Sequence, residues 1–192
     1  MYKLAKTITN RLIQTGLPKE KEAIYTYSLE ILLNCSFIFF ILFIYSLLTN
    51  SCLSMFLWIS SFFILRTRIG GLHMNTNEKC IGASCVLAIF CVWISTRITW
   101  LDKIEIYLFA IEFLYLILFV PFNSTKYTYI GKQRSINKII ASTLYVFLYF
   151  VACNITLYSC ILGRTFFIGI HASIILSAMA CIKYYLKEFL YD

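Results

Sequence analysis

Proline is nearly absent from this chain, with two among 192 residues, and acids are scarce, at nine against 17 lysines and arginines. Charged residues are only 14% of the sequence, so the +8 net charge is spread thinly and excludes the concentrated basic surface of a nucleic-acid binder. In their place stand 60% hydrophobic residues and a mean hydropathy of +0.79. Such a balance excludes a disordered chain and an ordinary soluble domain, and leaves a membrane protein. Eight cysteines are present, but all save Cys80 lie in or beside apolar runs, where a free thiol behaves as a small hydrophobe. A secreted disulfide scaffold is therefore excluded as well. With two histidines and so few acids, any chemistry rests on a handful of side chains.

Apolar stretches recur at Ile31–Leu48, Cys52–Leu65, Ile81–Thr96, Ile104–Phe122, Ile139–Leu162 and Phe166–Ile182. They predict an all-α, polytopic integral membrane protein with about six transmembrane helices. The second stretch is the short one, about 21 Å as a helix against about 30 Å of hydrocarbon. It must borrow flanking residues, thin the bilayer or re-enter, which keeps a four-span arrangement with a re-entrant pair as the alternative. All 17 lysines and arginines except Arg97, Lys103 and Arg164 fall on one side of a six-span path, which predicts that both termini and the segments 66–80 and 123–138 face the cytoplasm. The first apolar run starts too late for a cleavable signal peptide. Residues 1–15 set Leu4, Ile8 and Leu12 at helical spacing among Lys3, Lys6 and Arg11, the pattern of an N-terminal interfacial amphipathic helix resting on anionic lipid. A basic leader that only fixes topology fits the same residues. Pro18 ends that helix, and the interfacial segment is taken as 1–22 of a single membrane domain, 1–192.

Between the second and third stretches lies Arg66-Thr-Arg-Ile-Gly-Gly-Leu-His-Met-Asn-Thr-Asn-Glu-Lys-Cys80, which holds His73 and Cys80. A cysteine nucleophile needs a neighbouring base, and histidine supplies one and later protonates a leaving amine. Seven residues apart on one continuous helix, the two would stand about 10.5 Å apart along its axis, so a dyad requires a break. Gly70-Gly71 and Asn75-Thr76-Asn77 permit a fold-back. The other readings are a chance pairing in a loop and a zinc site of His73, Cys80 and Cys85, which lacks a fourth ligand.

The run Arg66-x3-Gly70-Gly71-x-His73-x6-Cys80 in a six-span chain of this length resembles the accessory gene regulator B family of peptide-pheromone processing endopeptidases. Two further stretches carry the likeness along the chain. Tyr27-Ser28-Leu29-Glu30 looks like the family's Y-G-L-E stretch, with Ser28 in place of glycine. Pro121-Phe122-Asn123 and the run Arg134–Ser142 look like its basic loop between the fourth and fifth spans. The resemblance implies a bacterial cytoplasmic-membrane cysteine endopeptidase in which Cys80 is the nucleophile and His73 its base. Its substrate would be a small membrane-associated propeptide, AgrD-like, whose C-terminal tail is removed through a Cys80 thioester. An internal thiol or hydroxyl of the peptide would then close a thiolactone or lactone, making the quorum-sensing peptide. By the same likeness 66–80 is the catalytic loop, Arg66, Gly71 and Glu30 support substrate binding or catalysis, and no metal or cofactor is needed.

Several of these residues have a structural reading too. Arg66 and Arg68 anchor a span end, Gly71 permits a close approach before His73, and Glu30 favours a helix N-terminus. Lys126, Lys132, Arg134 and Lys138 recruit an acidic peptide tail or simply obey the charge bias. Glu112 lies mid-span and is a functional candidate on physical grounds, Glu105 reaches the interface and needs no role, and His171 is expected to be a neutral histidine bonded to a neighbouring helix. Small residues in the helices allow a homodimer. Rival functions are a six-span transporter subunit and a membrane scaffold, for both of which Cys80 is dispensable.

Overall fold

The computed structural model describes residues 1–16, 18–70, 76–120 and 132–191, and the side chains of all of these except 77, 132–134 and 187–191. Among the described residues the fold is all-helical: α1 (Tyr2–Gln14), a 3-10 turn (Lys19–Lys21), α2 (Glu22–Leu48), α3 (Cys52–Ile69), α4 (Asn77–Ser95), α5 (Leu101–Phe119), α6 (Lys132–Tyr158) and α7 (Cys160–Tyr191). Each apolar stretch has its own helix, but the fifth is shorter than expected: α6 ends at Tyr158, and Cys160–Leu162 already belong to α7. The short second one borrows the four residues Arg66 to Ile69, which lengthen α3 to 18 residues, about 27 Å. Neither α3 nor α4 folds back within its apolar run. Five helices are long and apolar enough to cross a bilayer. The sixth, α5, has 19 residues but carries Asp102, Lys103, Glu105 and Glu112.

Helix α7 is the axis of the bundle, with 72% of its apolar window buried against 11–28% for the other four spans. It packs on α3, α4, α5 and α6, while α2 lies against α3 and α4. Lipid tails are as apolar as leucine, so tight association of such helices comes from close packing rather than from hydrophobic exclusion. The sequence provides for it at Gly169, where an added Cβ would lie 2.9 Å from the Trp58 carbonyl and against Ser61, and at Gly163, which abuts Thr156. Two side-chain cores result. One gathers Leu65, Leu116, Tyr145, Phe167 and Ile170 between α3, α5, α6 and α7, and the other Leu42, Met55, Trp58, Ala88 and Ile168 between α2, α3, α4 and α7.

The N-terminal helix lies along α2. Its inner face is one position over from the leucine stripe: Ala5 and Thr9 are fully buried, whereas Leu4 and Leu12 are exposed. The stripe therefore points away from the protein, as a helix resting in a lipid interface requires.

Candidate active site

The chain leaves α3 through a glycine. Gly70 has φ +73° and ψ −165°, a backbone region essentially closed to residues with a Cβ. Here Arg66 folds back along its own helix, and its Nη1 donates to the Gly70 carbonyl over 3.1 Å. A cation over the last turn is also favoured by the helix dipole. Ile69 is buried, and its carbonyl accepts from the Ser177 hydroxyl at 3.4 Å, which ties this end of α3 to α7.

The next described residue, Thr76, is extended and caps α4: its hydroxyl accepts from the Lys79 N–H at 3.4 Å, and its carbonyl accepts from the Cys80 N–H at 3.1 Å. Cys80 thus sits half-buried in the first turn of α4, at the positive end of the helix dipole. It lies within electrostatic reach of the Arg66 guanidinium and of the Cys35 thiol on α2. Sequence reasoning did not foresee this proximity of Arg66 to Cys80; the two stand on the helix ends that flank a connection shorter than 66–80. Gly71 and His73 lie outside the described residues, as do 123–131 of the basic loop, and Lys132 and Arg134 open α6. Cys35 is a neighbour that sequence reasoning missed, since it reads like any other cysteine in an apolar helix.

Glu30 takes a different place. It is half-buried on α2, about 7.5 Å along the helix from Cys35, and lines a cavity of about 510 Å³ with Tyr2 and Lys6 of α1 and Glu20, Glu22 and Tyr27.

A second polar region runs along α5. Asp102 receives two hydrogen bonds from Arg164, at 2.7 and 3.0 Å, and Arg164 also donates to the Ser95 carbonyl at 3.1 Å. Below it, His171 bridges two buried carboxyl groups, with Nδ1 2.7 Å from Glu112 Oε1 and Nε2 3.2 Å from Glu105 Oε2. Tyr145 of α6 donates to Glu112 Oε2 at 3.0 Å. Glu112 faces the bundle interior, as expected for an ionisable group at this depth. Glu105 is corrected: it does not reach the interface but is 8% exposed and held against His171. His171 is hydrogen-bonded to a neighbouring helix as expected, through two carboxyl groups of α5. The spacing of Asp102, Glu105, Glu112 and Tyr115 on one face of α5 was the available signal. All eight cysteines are free thiols, and among the described residues no three His, Cys, Asp or Glu side chains are grouped to hold a metal ion.

No curated protein and no solved structure matches the chain. The family model described as Accessory gene regulator B matches residues 5–183. With nearly its whole length matched, and with several helices able to cross a membrane, the chain belongs to the accessory gene regulator B family, membrane proteins involved in processing autoinducing peptide precursors.

Proposed function

We propose that the protein is a membrane cysteine endopeptidase that cuts an AgrD-like propeptide and releases it as a ring, with Cys80 as nucleophile and His73 as base. The observation that carries this reading is the position of Cys80, half-buried in the first turn of α4 within electrostatic reach of Arg66, in a chain of this family. Helix construction leaves the Asn77 and Glu78 amides without intrahelical acceptors, so a negative charge forming beside Cys80 meets N–H groups and a guanidinium.

The chemistry balances without a cofactor. His73 takes the Cys80 proton, sulfur attacks the scissile carbonyl, and the carbonyl C–N bond breaks as the imidazolium gives its proton to the leaving amine. The peptide then hangs from Cys80 as a thioester. An internal cysteine of the peptide gives its proton to His73 and attacks the thioester carbonyl. The Cys80 C–S bond breaks, the thiol is re-protonated and a thiolactone leaves. An internal serine gives the lactone by the same route. Exchange of one thioester for another conserves the activated acyl group, which water would discharge, so a site at the membrane edge suits cyclisation. In this reading the Cys80 end of the bundle faces the cytoplasm, in agreement with the lysine and arginine bias.

The test uses the full chain in nanodiscs with a synthetic propeptide. Mass spectrometry of an acid-quenched reaction is expected to find the peptide's N-terminal portion on Cys80 and the cyclic product in solution. His73→Ala is expected to lose both. A product that is only the linear acid, from a peptide bearing the internal thiol, sinks the cyclisation step. Cleavage that persists in Cys80→Ala sinks the whole reading.

A further inference from the structure

The buried group formed by Glu105, His171, Glu112 and Tyr145 is not used by that chemistry, and its hydrogen bonds define how many protons it holds. Each imidazole nitrogen faces a carboxyl oxygen, Nδ1 at 2.7 Å from Glu112 Oε1 and Nε2 at 3.2–3.3 Å from the two oxygens of Glu105. Every such contact needs one proton, wherever it rests between nitrogen and oxygen. Two protons shared by one imidazole and two carboxyl groups leave the set with one net negative charge. Among the described residues no cation is paired with the cluster. Arg164 is committed to Asp102, and the imidazole's electrostatic partners are the two glutamates. The other titratable groups near the carboxylates are the Tyr149 hydroxyl and the Cys153 thiol of α6. Among the described residues α3 and α4 bring no acid, base or cation into the cluster.

One oxygen has room for a third proton. Both Glu105 oxygens address the same Nε2, so a proton added there finds no second acceptor. Glu112 Oε2 instead faces the Tyr145 hydroxyl at 3.0 Å, which can accept as well as donate. That hydroxyl has an alternative acceptor of its own, the Phe109 carbonyl at 3.4 Å. We propose that this cluster is a proton-binding site within the bundle: it takes up a third proton at Glu112 Oε2. The Glu112 O–H then donates to Tyr145, whose hydroxyl turns to the Phe109 carbonyl.

The loaded cluster is electroneutral and fully hydrogen-bonded, while the unloaded one keeps a negative charge in a low-dielectric interior. Its members come from three helices, so the proton governs how firmly α5, a helix of span length too charged to count as an apolar span, is seated on α6 and α7. Glu112→Gln reproduces the loaded state, since an amide oxygen accepts from His171 and an amide N–H donates to Tyr145.

The experiment is infrared difference spectroscopy of the full chain in nanodiscs between about pH 5 and about pH 9, with thermal unfolding followed in parallel. In the wild type a protonated-carboxyl band is expected on the acid side and is lost on the alkaline side. Stability should fall as the band goes, because the folded state then buries an uncompensated charge. Glu112→Gln should abolish the band and flatten that loss of stability. Tyr145→Phe keeps the ring and removes the acceptor, so the band should appear only at lower pH than in the wild type and at higher frequency, as an unbonded carboxylic acid's does. The proposal is overturned if no such band appears, if Glu112→Gln leaves it in place, or if Tyr145→Phe leaves its frequency unchanged. Monodisperse, helical material is required of each variant, and should Glu112→Gln not meet that standard the Tyr145→Phe frequency decides alone.

Discussion

The molecule has two polar regions, and they are built in opposite ways. At the α3–α4 end, Arg66 and Cys80 stand on helix termini, half-buried or more open, where the proposed function brings the peptide. Around His171 the groups are interior to α5, α6 and α7, and Glu105, Glu112 and His171 are all below 9% exposed. In the proposed function the first arrangement gives Cys80 access and positive potential. The second engages its groups with one another inside the bundle. Polarity in this bundle thus divides into groups at helix ends and groups enclosed between helices. Loss of the first kind should remove activity and leave the fold. Loss of the second should do the reverse.

The largest effect expected is on the open side. Cys80→Ala should reduce propeptide cleavage by at least about a thousandfold, the scale on which loss of a nucleophile is felt. Its thermal unfolding in micelles should change by less than about 1 kcal/mol, since the position is only half-buried. A large loss of stability in this variant would erase the contrast between the two regions.

On the enclosed side, His171→Leu should destabilise the fold by about 3–5 kcal/mol, because it leaves two buried carboxyl groups facing each other without the bridge. Combining it with Glu105→Leu and Glu112→Leu should recover most of that loss, as removal of a whole buried ionic set generally does. Equilibrium unfolding of the single and triple variants measures both, and equal losses would show that packing, not charge, holds these helices.

Legibility from sequence followed the same division. The helical membrane fold and the end of α3 at Gly70 were readable because hydropathy and glycine are local signals, whereas the approach of Arg66 to Cys80 was not. The length of α3 was less so, since Arg66 and Arg68 ended the apolar run while the helix continued to Ile69 with those side chains at its polar end. The buried cluster joins Glu105 to His171 across 66 positions and Glu112 to Tyr145 across 33, so no window of sequence contains it. Glu105 misled because depth was inferred from position in the span, when rotation about α5 decided whether it met lipid or protein. Cys35 was unreadable for the same reason: which face of α2 meets α4 is set by packing alone.

Between the two kinds of effect stands Gly70. Its backbone region is closed to side chains, so Gly70→Ala should cost about 1–3 kcal/mol and also re-aim the chain leaving α3, lowering cleavage together with stability. Among the described residues nothing lies within 4 Å of where its Cβ would go, so the effect is conformational. Gly70→Asn should fare no better, since asparagine tolerates positive φ in the left-handed helical region at ψ of about +47° and not at ψ −165°, and recovery of stability by asparagine alone would contradict this account.

The smallest effect is the sharpest probe of how the open site is held. Thr76 touches no substrate in the proposed mechanism, yet its hydroxyl caps the turn that contains Cys80. At 3.4 Å the bond is long, so Thr76→Ala belongs at the low end of capping effects, about 0.5–1 kcal/mol. Fraying of that turn moves Cys80 without removing it, so cleavage should fall several-fold while Thr76→Ser, which keeps the oxygen, stays near wild type. Hydrogen exchange at the Lys79 amide should quicken in the alanine variant only. If cleavage instead falls equally in both, the threonine methyl and not the cap positions the nucleophile, and the first turn of α4 is held by packing as firmly as the enclosed cluster is.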